Sequence, residues 1–430
     1  MKTLHRHSLA AGLVATLSLA LAAPAFAKGP MPDPAVKDFQ RLVDAAYAKY
    51  KGLQDGKNAD YIPILTETPS DLFGVVIVTK DGKVYSAGDV DYQFSIQSVS
   101  KPFTAALVMT QQGPAVLKEK IGVEPTGMAF NSKLALGVYE DSVNPLVNAG
   151  AIAAVSLVQA KSEADRWNQV SQNLSDFAGR PLTVLEKVYE SEYTTAFGNR
   201  GIANLLYNWG RLYSEPEEAL RVYTRECSVG VSAKDLGVMG ATLANGGVNP
   251  LTGKQVMPAK HVPELLAIMA TAGFYDESGD WMFTAGLPAK TGVGGGIVAV
   301  VPGRFAIAAF SPRLNEAGNS VRSLKAIRDI AGELGVGVFG PGLGTRTRSA
   351  PSPDVHVGLV VLADAQRCPS KLRCPSKLRR PSKLRCPSSM PFHRPAKSGS
   401  VLAVVAMSST CTPGTRSPTI APAVAIRWSA

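Results

Sequence analysis

The chain has 430 residues, 45 Lys and Arg against 34 Asp and Glu for a formal net charge of +11, and 45% hydrophobic residues, a globular balance that fits one large domain or two. The basicity sits at one end: residues 341–430 carry 14 Lys/Arg against 2 Asp/Glu, while residues 1–340 carry 31 against 32. A nucleic-acid-binding body needs a basic face; this body has no positive charge to spare, which excludes nucleic acid as its partner.

The chain opens with MKTLHRHSLAAGLVATLSLALAAPAFA. A short cationic start, an apolar run over 9–22 and the small-residue site Ala25-Phe26-Ala27 predict a secretory signal peptide over 1–27. The apolar run falls short of the roughly 20 residues a membrane span needs. The expected product is exported, periplasmic or secreted, and free of the membrane after export.

Over 34–50, Val36, Phe39, Leu42, Val43, Ala46 and Tyr47 recur at helical spacing and predict an amphipathic helix. The stretch 72–89, LFGVVIVTKDGKVYSAGD, reads as a β-hairpin in which Asp81-Gly82 supplies positive-φ residues for the turn. Then comes FSIQSVSKPF, with Ser98 and Lys101 three apart. Pro102 is tolerated only in a first helical turn, so a helix starts close to Ser98. The hydroxyl and the amine then share one helix face, a nucleophile with an adjacent base.

Residues 113–270 carry helical periodicity, as in NAGAIAAVSLVQA, and few strand signals. Strands return over 282–310, where IVAVV and FAIAAF flank the turn Pro302-Gly303-Arg304. A last amphipathic helix over 321–334 ends at Gly335. The expected fold is α+β: a catalytic body over 28–340 with one antiparallel sheet flanked by N- and C-terminal helices and an inserted all-helical subdomain over about 113–270. The active site would lie between sheet and insert. Residues 341–430 include the near-repeat RCPSKLRCPSKLRRPSKLRCPSS and read as a low-complexity basic tail, expected to be disordered.

Cys227 alone belongs to the body and is expected to be a free buried thiol. The tail cysteines (Cys368, Cys374, Cys386 and Cys411) lack C-x-x-C spacing, and no metal-ligand cluster is visible. Five histidines supply a His-based triad poorly. No metal or cofactor is expected.

The companion of Ser98-x-x-Lys101 is Lys290-Thr291-Gly292, which opens a glycine-rich strand. Ser-x-x-Lys followed by Lys-Thr-Gly marks the serine β-lactamases and penicillin-binding proteins. More specifically, IQSVSKPF, EPTGMAFNS, NPLVNAGAI, GFYDESGD, LPAKTGVGGGI and SPRLNEAGNSVR, in this order over roughly residues 34–335, resemble the serine-dependent glutaminase family, which has the serine β-lactamase-like fold. The resemblance implies hydrolysis of L-glutamine to L-glutamate and ammonia through a glutamyl-serine ester. It also implies a homo-oligomer, dimer or tetramer.

Carried over by position, the nucleophile matches Ser98 and its base Lys101. Tyr61 matches the tyrosine that approaches the nucleophile, and Tyr275 the one that assists proton transfer. Asn148, Glu192, Asn199 and Tyr223 match the residues that grip the amino-acid end of glutamine. The Val293 backbone N–H, with that of Ser98, matches the oxyanion hole. One departure stands out: the family usually has Arg immediately before the asparagine at 199, and here Gly198-Asn199-Arg200 places it after.

The chemistry is coherent from the residues themselves. A side-chain amide needs a nucleophile, a proton shuttle and donors for the tetrahedral oxyanion. Lys101 must be neutral part of the time, so its pKa must fall through burial or a neighbouring cation. A zwitterionic ligand calls for an anion beside its ammonium, which Glu192 supplies, and for donors beside its carboxylate, which Asn148, Asn199 and Tyr223 supply. The nearest rival is a β-lactamase or D-Ala-D-Ala peptidase, against which stands the lack of a clear S-D-N motif. A non-catalytic amino-acid-binding protein on the same fold is the other alternative.

Overall fold

The computed structural model describes residues 36–139 and 142–339. The expected signal peptide and basic tail lie outside the described residues. The strands are β1 (Gly74–Thr79), β2 (Val84–Gly88), β3 (Phe94–Ser95), β4 (Gly230–Val231), β5 (Ala289–Thr291), β6 (Gly296–Val301) and β7 (Phe305–Phe310). The helices are α1 (Val36–Tyr50), α2 (Lys101–Gln112), α3 (Pro114–Lys120), α4 (Lys133–Tyr139), α5 (Asn148–Leu157), α6 (Glu163–Ala178), α7 (Glu186–Thr195), α8 (Phe197–Asn208), α9 (Pro216–Cys227), α10 (Ala233–Ala244), α11 (Val262–Ala272), α12 (Ser278–Thr284) and α13 (Val321–Leu334).

Five strands form one sheet in the order β2-β1-β7-β6-β5, every pairing antiparallel. Strands β1, β6 and β7 are buried along their whole length, so they carry unbroken apolar runs with no polar alternation. Successive side chains still point to opposite faces. Val75, Ile77, Ile297, Ala299, Ile307 and Ala309 pack with Phe39, Leu42 and Val43 of α1 and with Ala326, Ile327 and Ile330 of α13. Val76, Val78, Val298, Val300, Ala306 and Ala308 pack with Leu236, Met239 and Leu243 of α10. Each of the larger side chains contributes about 1.5–3 kcal/mol by leaving water. The architecture is the antiparallel α+β arrangement that the sequence predicts.

Within the span read as a helical insert, α10 lies against the sheet. Its start is fixed by a capping box, with the Asp235 amide donating to Ser232 Oγ and the Ser232 amide to Asp235 Oδ2. Arg180 adds a two-pronged contact to the same carboxylate at 2.7 and 2.6 Å. Helix α6 packs on α10, α9 on α6, and α5 and α8 on α9, while α11 meets β5; β3 pairs with β4 to tie the segment ahead of Ser98 to the end of α9.

Two expectations need correction. In the first hairpin Gly82 takes a positive φ of 82° and Asp81 does not; the Gly82 amide donates back to the Thr79 carbonyl, so one left-handed residue closes the turn. Residues 282–284 belong to α12 and not to a strand. The strand-bearing stretch therefore starts later than 282, and helical spacing seats Trp281 in the core with Met282 packed partly against it. It stacks on Phe274 at 4.2 Å and donates its indole N–H to the Leu287 carbonyl, while Phe283 is left in solvent.

Near the start of α13, Arg322 has no solvent exposure and donates to the Leu53 and Ser70 carbonyls at 2.7 and 3.1 Å. It therefore holds the segment after α1 to the helix that shares its core. Arg322→Met keeps the bulk and removes the donors, so it should destabilise the fold by about 2–5 kcal/mol, since each buried carbonyl left bare costs about 1–3 kcal/mol. Chemical denaturation measures this, and an unchanged unfolding midpoint would refute it.

Candidate active site

The segment Gln97–Ser100 is a 3-10 turn that runs straight into α2, with Pro102 in the first helical turn. Ser98 therefore sits just ahead of the α-helix and Lys101 at its first residue. Lys101 Nζ is 2.7 Å from Ser98 Oγ and 2.7 Å from Asn148 Oδ1. As an ammonium it donates to both oxygens; as a neutral amine it can accept the Ser98 proton while still donating to Asn148.

Lys101 is 1% exposed, and burial brings its pKa down from 10.5 to about 8 against the opposing pull of Cys227, Glu226 and Glu192. A neutral amine is thus accessible near physiological pH, as general-base work requires. Lys290, from the Lys-Thr-Gly motif, is fully buried with its Nζ over the Tyr275 ring at 4.0 Å, donating to the Thr291 and Gly273 carbonyls. Burial first, then Lys101, pushes its pKa well down.

The glycine of that motif has a steric cause. A Cβ at Gly292 would lie 3.0 Å from the Ile96 carbonyl oxygen and 3.1 Å from the Val99 amide, so a side chain there would press on the backbone of the Ser98 turn, and glycine lets the segment after β5 pass it without displacement. The next residue, Val293, buries its side chain among Ile62, Leu65, Val188 and Leu314. Its N–H finds no hydrogen-bond partner among the described residues, which leaves it free to meet an oxyanion.

A cleft of about 420 Å³ opens above Ser98, and Tyr61, Asn148, Glu192, Asn199, Tyr223 and Val293 line it together with Gln97 and Phe130. Lys101 and Tyr275 lie behind this wall. All the candidate side chains predicted from the sequence therefore converge. Glu192 is buried and accepts from Gln97 Nε2 at 2.9 Å; burial drives its pKa up to about 7, with Gln97 and then Lys101 opposing. This carboxylate lacks a full counter-charge.

Asn148 works as a relay: its Oδ1 faces the Lys101 amine, so its Nδ2 donates to Asn199 Oδ1 at 3.0 Å. That in turn leaves the Asn199 N–H groups as spare donors at the cleft wall. Arg200, displaced by one position from the family pattern, turns to Glu217 and to the Tyr193 ring and carbonyl, outside the cleft lining. Tyr223 is buried beneath Lys101, whose Nζ lies 5.7 Å from its ring centre.

The two tyrosines differ. Tyr275 is buried, at the unusual positive φ of 58°, and its hydroxyl makes no hydrogen bond among the described residues. Burial raises its pKa, Ser98 being the group that opposes the rise, so the hydroxyl stays protonated. Tyr61 is 51% exposed and makes no hydrogen bond to Ser98; its ring packs 6.3 Å from that of Phe130. Sequence reasoning missed Glu226, fully buried behind the turn, and the contacts of Glu277 with Asn315 and Asn319, which tie the Tyr275 turn to the loop before α13. Both depend on pairings between residues far apart in the chain, for which no local motif exists.

A glutaminase family model matches residues 56–339. The glutaminase of Mycobacterium ulcerans is 54% identical over 301 residues, covering 70% of this chain and 94% of that protein. Among solved structures, the probable glutaminase ybaS aligns with a TM-score of 0.70 at 49% identity, over 71% of this chain and 99% of the other. Mglu in its glutamate form aligns with a TM-score of 0.64 at 38% identity, over 70% of this chain and 69% of the other.

Glu192 supplies a test of the site's electrostatics. Its folded pKa of about 7 lies above the ordinary 4.5, so its contribution to stability is fully present below the ordinary value and is lost as pH rises through the folded one. Glu192→Gln removes that loss. The variant should therefore gain in melting temperature relative to the parent as pH rises from about 4.5 to about 8; a constant difference would contradict the burial of an under-compensated carboxylate.

Proposed function

Because the chain belongs to the glutaminase family and hydrolyses glutamine, we propose that the reaction runs through a glutamyl ester on Ser98 with Lys101 as its base. The observation that carries this reading is the Lys101 amine, within hydrogen-bond reach of both Ser98 Oγ and Asn148 Oδ1. Ser98 Oγ bonds to the side-chain carbonyl carbon of glutamine as its proton passes to Lys101 Nζ. The oxyanion is met by the Ser98 and Val293 N–H groups, which need no reorganisation as charge develops.

Collapse of the tetrahedral intermediate breaks the C–N bond. The nitrogen takes a proton from Lys101, with the Tyr275 hydroxyl beside the same centre as a second donor, and leaves as ammonia. Water then adds to the ester with Lys101 again accepting the proton, and glutamate departs with Ser98 restored. The substrate's α-ammonium supplies the counter-charge that Glu192 lacks, and its α-carboxylate takes the spare donors of Asn199, Asn148 and Tyr223. Tyr61 closes the outer wall of the cleft. That Mglu is known in a glutamate form is in keeping with glutamate as a ligand of this chain.

Two further readings belong with this one. The three-part N-terminus supports export through removal of residues 1–27, to the periplasm or the medium. Leu134 and Val138, one turn apart on α4, and Phe197 at the start of α8 are each more than 60% exposed, which supports a homo-oligomer that covers them.

Ammonia release from glutamine by the chain and its Ser98→Ala variant, with and without the residues after 344, tests the mechanism. Ser98→Ala should lose about 10⁴-fold or more in kcat while still binding glutamate by calorimetry. Undiminished turnover in Ser98→Ala would end the ester mechanism.

A further inference from the structure

Ser100 stands between the nucleophile and the base, and the mechanism gives it no task. Its hydroxyl turns away from the cleft and donates to Glu226 Oε1 at 3.1 Å, while Thr104, one turn beyond Lys101, donates to Glu226 Oε2 at 2.6 Å. Glu226 is the penultimate residue of α9 and has no solvent exposure. One carboxylate thus grips the two hydroxyls that flank Lys101 on α2 and its leading turn. The same helix turn presents Tyr223 to the cleft and Glu226 to its rear.

We propose that Glu226 is a positioning residue of the hydrolytic site, which clamps the turn carrying Ser98 and Lys101 and supplies the buried negative charge against which Lys101 exchanges its proton. The proposal rests on the reading of Lys101 as the base. Two hydroxyl donors only partly replace the water an ionised carboxylate gives up on burial, and the nearby cation is Lys101. The charged and titratable groups around that lysine are Tyr223, Glu226 and Cys227 of α9, Glu192 of α7, Lys290 of β5 and, beside Ser98, Tyr275.

Burial drives Glu226 up to about 7, with Thr104, Ser100 and Lys101 opposing, as it drives Lys101 down to about 8. Each group enters the other's shift, Glu226 raising Lys101 and Lys101 lowering Glu226, so their protonation is linked. A negative charge on Glu226 holds the proton on Lys101, and its loss releases that proton at lower pH. A neutral residue of the same shape, hydrogen-bonded to the same hydroxyls, would clamp the turn without that charge.

The test is the pH profile of kcat/KM for glutamine hydrolysis in the full chain. Glu226→Gln keeps the shape and removes the charge, so the limb along which activity rises as Lys101 loses its proton should move to lower pH by about one unit, with KM on the plateau little changed. Thr104→Val keeps the carboxylate but strips its shorter hydrogen bond, which favours protonation of Glu226, so it should move the limb the same way by less. It carries the test should Glu226→Gln fail to fold. A limb that stays in place in the folded variants would reduce Glu226 to a structural hydrogen-bond partner and overturn the proposal. Undiminished activity in Lys101→Ala would instead overturn the base assignment, and this proposal with it.

Discussion

The 2.7 Å contact between the buried Lys101 amine and the Ser98 hydroxyl at the floor of the cleft sets the terms for the rest of the molecule. A lysine in solvent holds its proton too firmly to act as a base at neutral pH, and one buried with no compensation would penalise the fold. Glu192 and Glu226 on different helices keep the charge marginal. Both carboxylates are themselves pushed up by burial, so none of the three groups is fully committed to its charged form. Catalysis and stability pull on the same few side chains.

The surrounding architecture holds that turn from several sides. The segment after β5 passes so close that a Cβ at 292 would press on the turn's backbone, β3 and β4 anchor the segment before the turn, and Glu226 holds its last residue and the helix after it. Gln97 and Tyr275 both adopt positive φ, at 49° and 58°, a conformation costing about 1–3 kcal/mol for a residue with a side chain. Their side chains are fixed by tertiary partners, Gln97 by Glu192 and Tyr275 by the Lys290 amine over its ring. Local strain is sustained because those contacts over-determine it.

How far the sequence revealed this follows from the range of each interaction. Ser98 and Lys101 were legible because a helix places residues three apart on one face, and Pro102 marks where that helix begins. Strands β6 and β7 were legible because Pro302-Gly303-Arg304 separates two β-rich runs. Lys290 carried only a motif; that its ammonium would be buried over Tyr275 depends on a contact between distant parts of the chain. Glu226 had no signal, since a carboxylate near the end of an amphipathic helix is usually solvated. The strand-bearing stretch expected from 282 starts later for a related reason: apolar residues are counted alike in sequence, whereas here Trp281 goes to the core and Phe283 to solvent.

On the proposed reading, the displaced arginine leaves the end of the cleft lined by Asn148 and Asn199 without a cation at that position. With Lys101 at one end, the Asn148 amide has a single useful orientation, and that orientation fixes Asn199 in turn. The polarity of the base is relayed along two neutral side chains and emerges as N–H donors on the far wall. An arginine among them would add a full positive charge to a cleft whose lysines are already depressed by burial, and would lower Lys101 further. Arg200 directed at Glu217 and Tyr193 avoids that conflict, and the donors facing the ligand stay neutral.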